Sequence, residues 1–335
     1  MTRAAVIGCG DVSVVHFDAI AHLEDVELVG VCDPDPGRRA AAVEAFGVPG
    51  FAEHPSLLAS VRPDVVHVCT PHSTHVALAL DCLERGVHVV LEKPLATTVA
   101  DGERLVQAAE HSRARVGVCF QNRYNAAVQA LHQRLTSGEL GPVQGAAATV
   151  LWHREASYYQ SRPWRSTWVG SGGGLLMNQA IHTVDLLQWL LGEVTVVAGH
   201  VATRALQDAI QVEDTAELSL THTGGVRSLL YATLAHATNA PVTLEVVTEG
   251  ALLSLRGDLT VTHADGRSET VAERQARSGG RAYWGASHEL LLADFYARLD
   301  DPEPFWLGPR EAQKSLRIVQ DAYRLSFPSR GDAVR

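Results

Sequence analysis

Four short apolar or β-branched runs, residues 3–8, 26–32, 64–69 and 87–92, alternate with stretches of helical periodicity at 13–22, 37–46, 73–85 and 97–112. Strands separated this regularly by helix-length segments predict a doubly wound parallel α/β sheet with helices on its faces. Gly86 fits the position just past a helix end, and Thr98 with Asp101 three residues on resembles a capping box for the next helix. The run Val116-Gly117-Val118-Cys119-Phe120 completes the sheet, and Gln121-Asn122-Arg123 reads as the domain exit. From about residue 140 the pattern changes to closely spaced strand candidates at 143–152, 194–203, 215–222, 226–235, 242–248, 251–255 and 259–263. With Thr223-Gly224-Gly225 as a hairpin turn, these predict an α+β domain with a largely antiparallel open sheet. Two helices, about 286–299 and 309–325, close the chain, the second opened by Pro309. Residues 264–281, rich in Arg, Ser and Gly, read as an exposed, mobile connection. The expected division is a first domain over 1–122 and a second over 123–330, with the last helix placed to pack back on the first.

At 335 residues and 46% hydrophobic content, the chain can bury a sizeable core. Its formal charge of −10, from 28 basic and 38 acidic side chains, argues against nucleic acid as a partner, which needs clustered Lys and Arg. No apolar stretch reaches the roughly 20 residues of a membrane span, and residues 1–7 lack the parts of an export signal, so the expected location is cytoplasmic. Cys9, Cys32, Cys69, Cys82 and Cys119 lie mostly in apolar runs without a C-x-x-C pair, reading as small core residues in a reducing compartment.

Gly8-Cys9-Gly10-Asp11-Val12-Ser13 lies between a strand and a helix, where a dinucleotide pyrophosphate meets backbone N–H groups and a helix N-terminus. Ser13 replaces the usual third glycine. Asp33, at the end of the second strand, stands where a carboxylate accepts from the adenosine ribose hydroxyls and favours NAD over NADP; Arg38 and Arg39 lie close enough to soften that preference. Thr70-Pro71-His72-Ser73-Thr74-His75 follows another strand at the carboxyl edge where α/β sheets bind ligands. Lys93, in Glu92-Lys93-Pro94, is a cation delivered by a buried-type strand and suited to polarising an alcohol. Farther on, Asn178, His182 and Asp185 recur at i, i+4 and i+7, sharing one face if the segment is helical. Asp185 is open to three readings: orienting His182, capping, or solvation at the surface. Metal ligation is not expected: no H-E-x-x-H or paired Cys/His spacing occurs. Nor is there a G-x-S-x-G elbow.

Taken together, the glycine loop, Asp33, Thr70-Pro71, Glu92-Lys93-Pro94 and the Gly172–174 run leading to His182 resemble the Gfo/Idh/MocA oxidoreductases over nearly the whole chain, the closing helices included. The resemblance implies an N-terminal Rossmann domain, a C-terminal α/β domain, NAD(P) as cofactor, and hydride transfer at a hydroxyl or carbonyl of a sugar, inositol or related polyol. It implies that Lys93, His182 and Asn178 are catalytic, with Lys93 at the reacting oxygen and His182 taking its proton. Most members carry Asp where this chain has Asn178, and an amide cannot ionise. Cofactor contacts are expected from Gly8, Gly10, Asp11, Val12, Asp33, Arg38, Thr70, Pro71, His75, Glu92, Lys93 and Asn122. Substrate contacts are expected from Arg123, Tyr124, Trp152, Arg154, Tyr159, Trp164 and Arg165, alongside Lys93, Asn178 and His182, since sugar sites combine aromatic faces with planar polar groups. His153 and Tyr158 belong to the same stretch; Tyr283 and His288 are weaker candidates. Two alternatives stay open: an NAD-retaining hydrolase or epimerase working by transient oxidation, and a redox-inactive nucleotide and sugar sensor. Alternation along the C-terminal strands leaves a sheet face needing cover, so a homodimer or homotetramer is expected.

Overall fold

The computed structural model describes residues 1–274 and 287–328. They form two compact units, one of Met1–Ala96, Ala100–Gln121 and the described residues of Arg277–Gln313, the other of Thr97–Val99, Asn122–Ala276 and Lys314–Arg335 within the same limits. Tyr283 lies outside the described residues.

The first unit is a six-stranded parallel sheet in the order β3-β2-β1-β4-β5-β6. Its strands are β1 (Thr2–Ile7), β2 (Val26–Cys32), β3 (Gly50–Phe51), β4 (Val65–Val68), β5 (His88–Leu91) and β6 (Val116–Val118), and its helices α1 (Ser13–His22), α2 (Pro36–Phe46), α3 (His54–Val61), α4 (His75–Glu84) and α5 (Val99–His111, most of it in this unit). Central strands such as Ala4–Ile7 and Val65–Val68 are buried throughout, as a sheet covered on both faces requires. The order reverses beside β1, so the carboxyl ends of β1 and β4 flank the switch point where such sheets bind ligands. α10 (Ser287–Ala297) belongs to this unit and packs on α1. The short β3 and α3 escaped the sequence reading, because a two-residue strand carries no periodicity.

The second unit contains α6 (Ala126–Ser137), α7 (Ala156–Gln160), α8 (Trp168–Ser171), α9 (Ile181–Leu191) and most of α11 (Pro309–Ser326). Its eight-stranded sheet has the order β14-β13-β12-β11-β7-β10-β9-β8. Those strands are β7 (Val143–Leu151), β8 (Val194–Ala202), β9 (Thr215–His222), β10 (Arg227–Thr233), β11 (Thr243–Thr248), β12 (Ala251–Arg256), β13 (Asp258–His263) and β14 (Ser268–Val271). Only β7 and β10 pair in parallel. Gly224 and Gly225, both with positive φ, make the tight turn between β9 and β10. The strand β14 corrects the expected loop over 264–281 at Ser268–Val271, where Leu259, Thr260, Val261 and Thr262 of β13 pair with Val271, Thr270, Glu269 and Ser268; residues 275–281 of that stretch lie outside the described residues. Ladder pairing outweighs a polar, Gly-containing composition there.

The segment Gly172–Leu191 is not one uniform α-helix. Leu176–Ala180 is a π-helical turn and regular α9 begins at Ile181, so the expected i, i+4 geometry is locally widened. The glycines before it are set by packing. A Cβ on Gly173 would lie 2.1 Å from the Tyr323 hydroxyl, and one on Gly174 would lie 1.9 Å from the Glu213 carbonyl oxygen. Gly174→Ala is therefore expected to destabilise the protein by about 1–3 kcal/mol, the range for overpacking, read as a lower urea midpoint; an unchanged midpoint would show that the backbone at Glu213 yields freely.

Candidate active site

In the first unit the cofactor-type residues gather at the ends of β1, β2, β4 and β5. Gly8 has a φ of 93°, and a Cβ there would lie 2.6 Å from the Cys69 carbonyl oxygen, so only glycine lets the loop after β1 run against the end of β4. At Gly10 a Cβ would meet nothing within 4 Å. The side of that residue is open space, which is the room a pyrophosphate needs beside backbone N–H groups. Asp11 and Val12 continue the loop, half-buried, and the Ser13 hydroxyl donates to the Gly10 carbonyl at 2.7 Å. Serine in place of the third glycine therefore closes the loop on itself.

The Asp33 carboxylate accepts from Cys9 N at 2.8 Å and Asp35 N at 2.9 Å, tying the end of β2 to the glycine loop and fixing both oxygens. Asp35 caps α2 by accepting from Gly37 N and Arg38 N. Arg38 sits exposed on the first turn of α2, whereas Arg39 donates to the Asp33 carbonyl at 2.7 Å. These residues fit a dinucleotide whose ribose carries free hydroxyls.

Thr70 and Pro71 follow β4, where Thr74 Oγ1 lies 2.7 Å from both Thr70 Oγ1 and the Pro71 carbonyl. His75 does not face a ligand from this loop. It is fully buried, with Nδ1 2.8 Å from the Pro94 carbonyl and Nε2 3.0 Å from the Thr70 carbonyl. Its ring spans the Thr70 turn and the Lys93–Pro94 turn, and since burial lowers its pKa the neutral ring donates to one of the two carbonyls. Lys93 follows β5, half-buried, with a cis peptide to Pro94. Glu92 points into the interior, where His16 Nε2 and His288 Nε2 lie 3.1 and 3.2 Å from its Oε1. Among the described residues this is the only group of His, Cys, Asp or Glu close enough to hold a metal, its atoms lying within 4.8 Å of one another. At 3.1 and 3.2 Å the same contacts are also hydrogen-bond distances between imidazole nitrogens and a carboxylate.

In the second unit, the π turn and α9 form a buried rod whose half-exposed positions are Asn178, His182 and Trp189. The rod starts on Glu213, whose carboxylate accepts from Gly174 N at 2.7 Å, Leu176 N at 2.8 Å and the Tyr323 hydroxyl at 2.8 Å. Full burial nonetheless pushes this carboxyl up to about 7, against those donors. Sequence reading missed Glu213, because nothing local in Val212-Glu213-Asp214 separates an anchoring carboxylate from a surface one.

Two expected ligand contacts turn out to be structural. Arg123 is fully buried and forks onto Asp185, Nε to Oδ2 and Nη2 to Oδ1 both at 2.7 Å, with Ser315 Oγ donating to Asp185 at 2.9 Å. Its guanidinium also lies 5.0 Å over the Trp189 ring. Asp185 is thus an interior ion-pair partner and not a surface or capping residue. Tyr159 is buried in the core, while its neighbour Tyr158, turned about 100° away on α7, approaches Asn178 Nδ2 at 3.4 Å and Gln179 Nε2 at 3.3 Å through its hydroxyl.

The guanidiniums of Arg154 and Arg165 lie 5.2 and 4.7 Å over the Tyr158 ring. Arg154 also lies 5.3 Å over Trp152, and Arg165 5.4 Å over Trp164. Arg154 is steadied by Asn239 Oδ1 at 2.8 Å. His153 turns away, Nδ1 on the His236 carbonyl at 2.8 Å. Asn122 and Tyr124 are half-exposed in the 3-10 turn Gln121–Tyr124.

Residues 2–120 match an oxidoreductase family with an NAD-binding Rossmann fold, and residues 128–254 match the GFO/IDH/MocA C-terminal domain. The chain is 30% identical to D-apiose dehydrogenase of Paraburkholderia graminis over 96% of its own length and 86% of that protein. It is 31% identical to inositol 2-dehydrogenase 2 of Saccharopolyspora erythraea over 66% of the chain and 63% of that protein. Among solved structures it is similar to the WlbA dehydrogenase of Bordetella pertussis in complex with NADH and UDP-GlcNAcA, at 30% identity and a TM-score of 0.83, covering 96% of this chain and 95% of that one.

Between its ordinary 4.5 and about 7, Glu213 holds its proton more tightly in the folded chain, so its contribution to stability is greatest below the lower value and is lost as pH rises through the upper one. The stability advantage of the wild type over Glu213→Gln is therefore expected to shrink between about pH 4.5 and pH 8, at most by roughly 3 kcal/mol, in urea unfolding series. A pH-independent difference would contradict the raised carboxyl.

Proposed function

We propose, since this chain belongs to the Gfo/Idh/MocA oxidoreductase family, that it oxidises a secondary hydroxyl of a sugar or polyol bearing an anionic group. NAD, when bound, supplies the hydride acceptor. Gly8, Gly10 and the N-terminal turn of α1 hold its pyrophosphate, and Asp33 holds the adenosine ribose hydroxyls, where a 2′-phosphate would meet like charge. Lys93 sets a positive charge at the reacting oxygen and lowers the cost of the developing alkoxide. His182 accepts the hydroxyl proton. Asn178, unable to ionise, orients a substrate hydroxyl by hydrogen bonding.

The observation that carries the substrate class is the bracketing of Tyr158 by Arg154 and Arg165, next to Asn178. Planar guanidiniums held at fixed positions by an aromatic ring suit a carboxylate or phosphate. The similar WlbA dehydrogenase was crystallised with UDP-GlcNAcA. The expected substrates are therefore sugar acids or nucleotide sugars ahead of neutral inositols and pentoses.

Among the described residues, no helix is long and apolar enough to cross a membrane. We place the enzyme in the cytoplasm, where its free thiols stay reduced. The outward face of the second sheet carries Val196, Leu229, Tyr231, Val247 and Leu252, with Leu229 58% and Tyr231 42% exposed. An apolar sheet face of that kind fits a second copy of the chain.

Lys93→Ala should bind NAD as the wild type does yet lose at least about 100-fold in turnover, measured at 340 nm on uronates, nucleotide sugars and neutral polyols; normal turnover would remove the lysine from the chemistry, and preference for neutral polyols would remove the anionic substrate class. By light scattering, the wild type should be a multiple of the chain mass and Leu229→Lys/Tyr231→Glu a monomer. A monomeric wild type at micromolar concentration would end the oligomer proposal.

A further inference from the structure

Beneath the first sheet's carboxyl edge, five side chains from four elements form one continuous polar file. The Tyr296 hydroxyl of α10 lies 2.7 Å from His67 Nε2 of β4, His67 Nδ1 lies 2.9 Å from His16 Nδ1 of α1, and His16 Nε2 lies 3.1 Å from Glu92 Oε1 at the end of β5. His288 Nε2 of α10 meets the same oxygen at 3.2 Å. His16 and His67 are wholly buried, and Glu92 is 4% exposed. Three imidazoles and a carboxylate without a Lys or Arg among these contacts are costly to bury unless each proton has an assigned place.

The contacts assign those places. An ionised carboxylate only accepts, so His16 and His288 both carry their proton on Nε2. Burial lowers the pKa of His16 and keeps its ring neutral, leaving Nδ1 bare to accept from His67 Nδ1–H. His67, held neutral by burial as well, then presents a bare Nε2 to the Tyr296 O–H, whose own pKa is raised. The reverse order requires a proton on Glu92. It arises when the Tyr296 proton passes to His67 Nε2, the His67 Nδ1 proton to His16 Nδ1, and the His16 Nε2 proton to Glu92, with one proton from water restoring the tyrosine. Three protons shift along the file and a fourth enters at Tyr296, so no charge is left in the middle and the net change is a single proton, taken up from solvent and carried by Glu92.

We infer that Tyr296, His67 and His16 form a proton wire to Glu92 whose resting order, locked by His288, keeps that carboxylate ionised one residue before Lys93. The wire stands on its geometry and on the neutrality of its buried rings, and its bearing on catalysis rests on the role proposed for Lys93. His16, His67, His288 and Tyr296 are then positioning residues, acting through Glu92 on the charge that Lys93 presents. The groups facing the carboxylate are His16 and His288, the Cys119 thiol hydrogen-bonded to it, and Cys69 and His75 within its field. His75 and Cys119 each sense both Glu92 and Lys93, which sets the two charges in one neighbourhood. The His16 and His288 donors hold the Glu92 pKa well below the ordinary carboxylate value despite burial.

Two independent readouts test this. Nitrogen-15 NMR of the imidazoles in the purified protein, with or without turnover, should show His16 as the Nε2–H tautomer and His67 as the Nδ1–H tautomer. The opposite tautomers, or a stoichiometric metal bound to His16 and His288, would overturn the wire. In kinetics, Tyr296→Phe removes one hydroxyl, and His67→Val removes the donor to His16. Each weakens the donors on Glu92 and raises its pKa, so the carboxylate takes up its proton, and turnover falls, starting at a higher pH. The acid limb of kcat should move up by about one pH unit or more, with KM for NAD little changed. His67→Asn, whose amide can replace the Nδ1–H donor, should restore the wild-type limb. Superimposable pH profiles for wild type, Tyr296→Phe and His67→Val would refute the catalytic role while leaving a dehydrogenase intact. Absent turnover in the wild type would refute the proposed function and leave the tautomers still readable.

Discussion

The helical rod that presents Asn178 and His182 hangs on one buried carboxylate. Glu213 takes the backbone N–H groups of Gly174 and Leu176 and the hydroxyl of Tyr323, three donors from two distant parts of the chain. Unsatisfied donors at a helix start are costly when buried, and here a side chain about 40 residues later meets that need. The packing is close enough to exclude a β-carbon at Gly173 and Gly174, so the glycine run is a steric consequence of the anchor. Downstream, the Arg123–Asp185 fork fixes α9 a second time, one turn beyond His182. Two interior ionisable contacts thus set the rotation of a rod whose other buried positions are mostly apolar.

The first unit uses the same device in a different place. Glu92 is an interior anion held by imidazole donors, and its neighbour Lys93 sits in a turn that His75 binds from behind at Thr70 and Pro94. Both proposed catalytic groups are therefore carried by short segments whose freedom is removed by buried hydrogen bonds. That is the arrangement preorganised electrostatic catalysis requires.

How much of this was legible in the sequence depends on distance along the chain. The alternation of strands and helices over the first 120 residues, and the hairpin at Thr223-Gly224-Gly225, are local patterns, and β2, β9 and α1 run over the residues that periodicity assigns them. The glycine loop and Asp33 were readable because a tight turn and a ribose contact each need one residue type at one spacing. What escaped depends on partners far away. His67 sits in a four-residue apolar strand and gives no sign that Tyr296, 229 residues later, hydrogen-bonds to it. Tyr158 and Tyr159 are indistinguishable until α7 turns one inward. Arg123 read as a ligand contact because a conspicuous Asn-Arg-Tyr after a sheet invites it, and only the fold supplies Asp185. The π turn was invisible as well, because Leu176–Ala180 carries no residue spacing that separates it from regular helix.

The central claim is that this chain moves a hydride from a carbinol carbon of an anionic sugar to NAD. The most direct measurement uses a sugar acid or nucleotide sugar deuterated at the carbon to be oxidised, incubated with NAD and the wild-type protein, with the dinucleotide product read by proton NMR. The account predicts free NADH carrying deuterium at C4 of the nicotinamide in one-to-one yield with the carbonyl product. Substrate converted with no net NADH released, the deuterium returned to the sugar, would contradict it and mark transient oxidation instead.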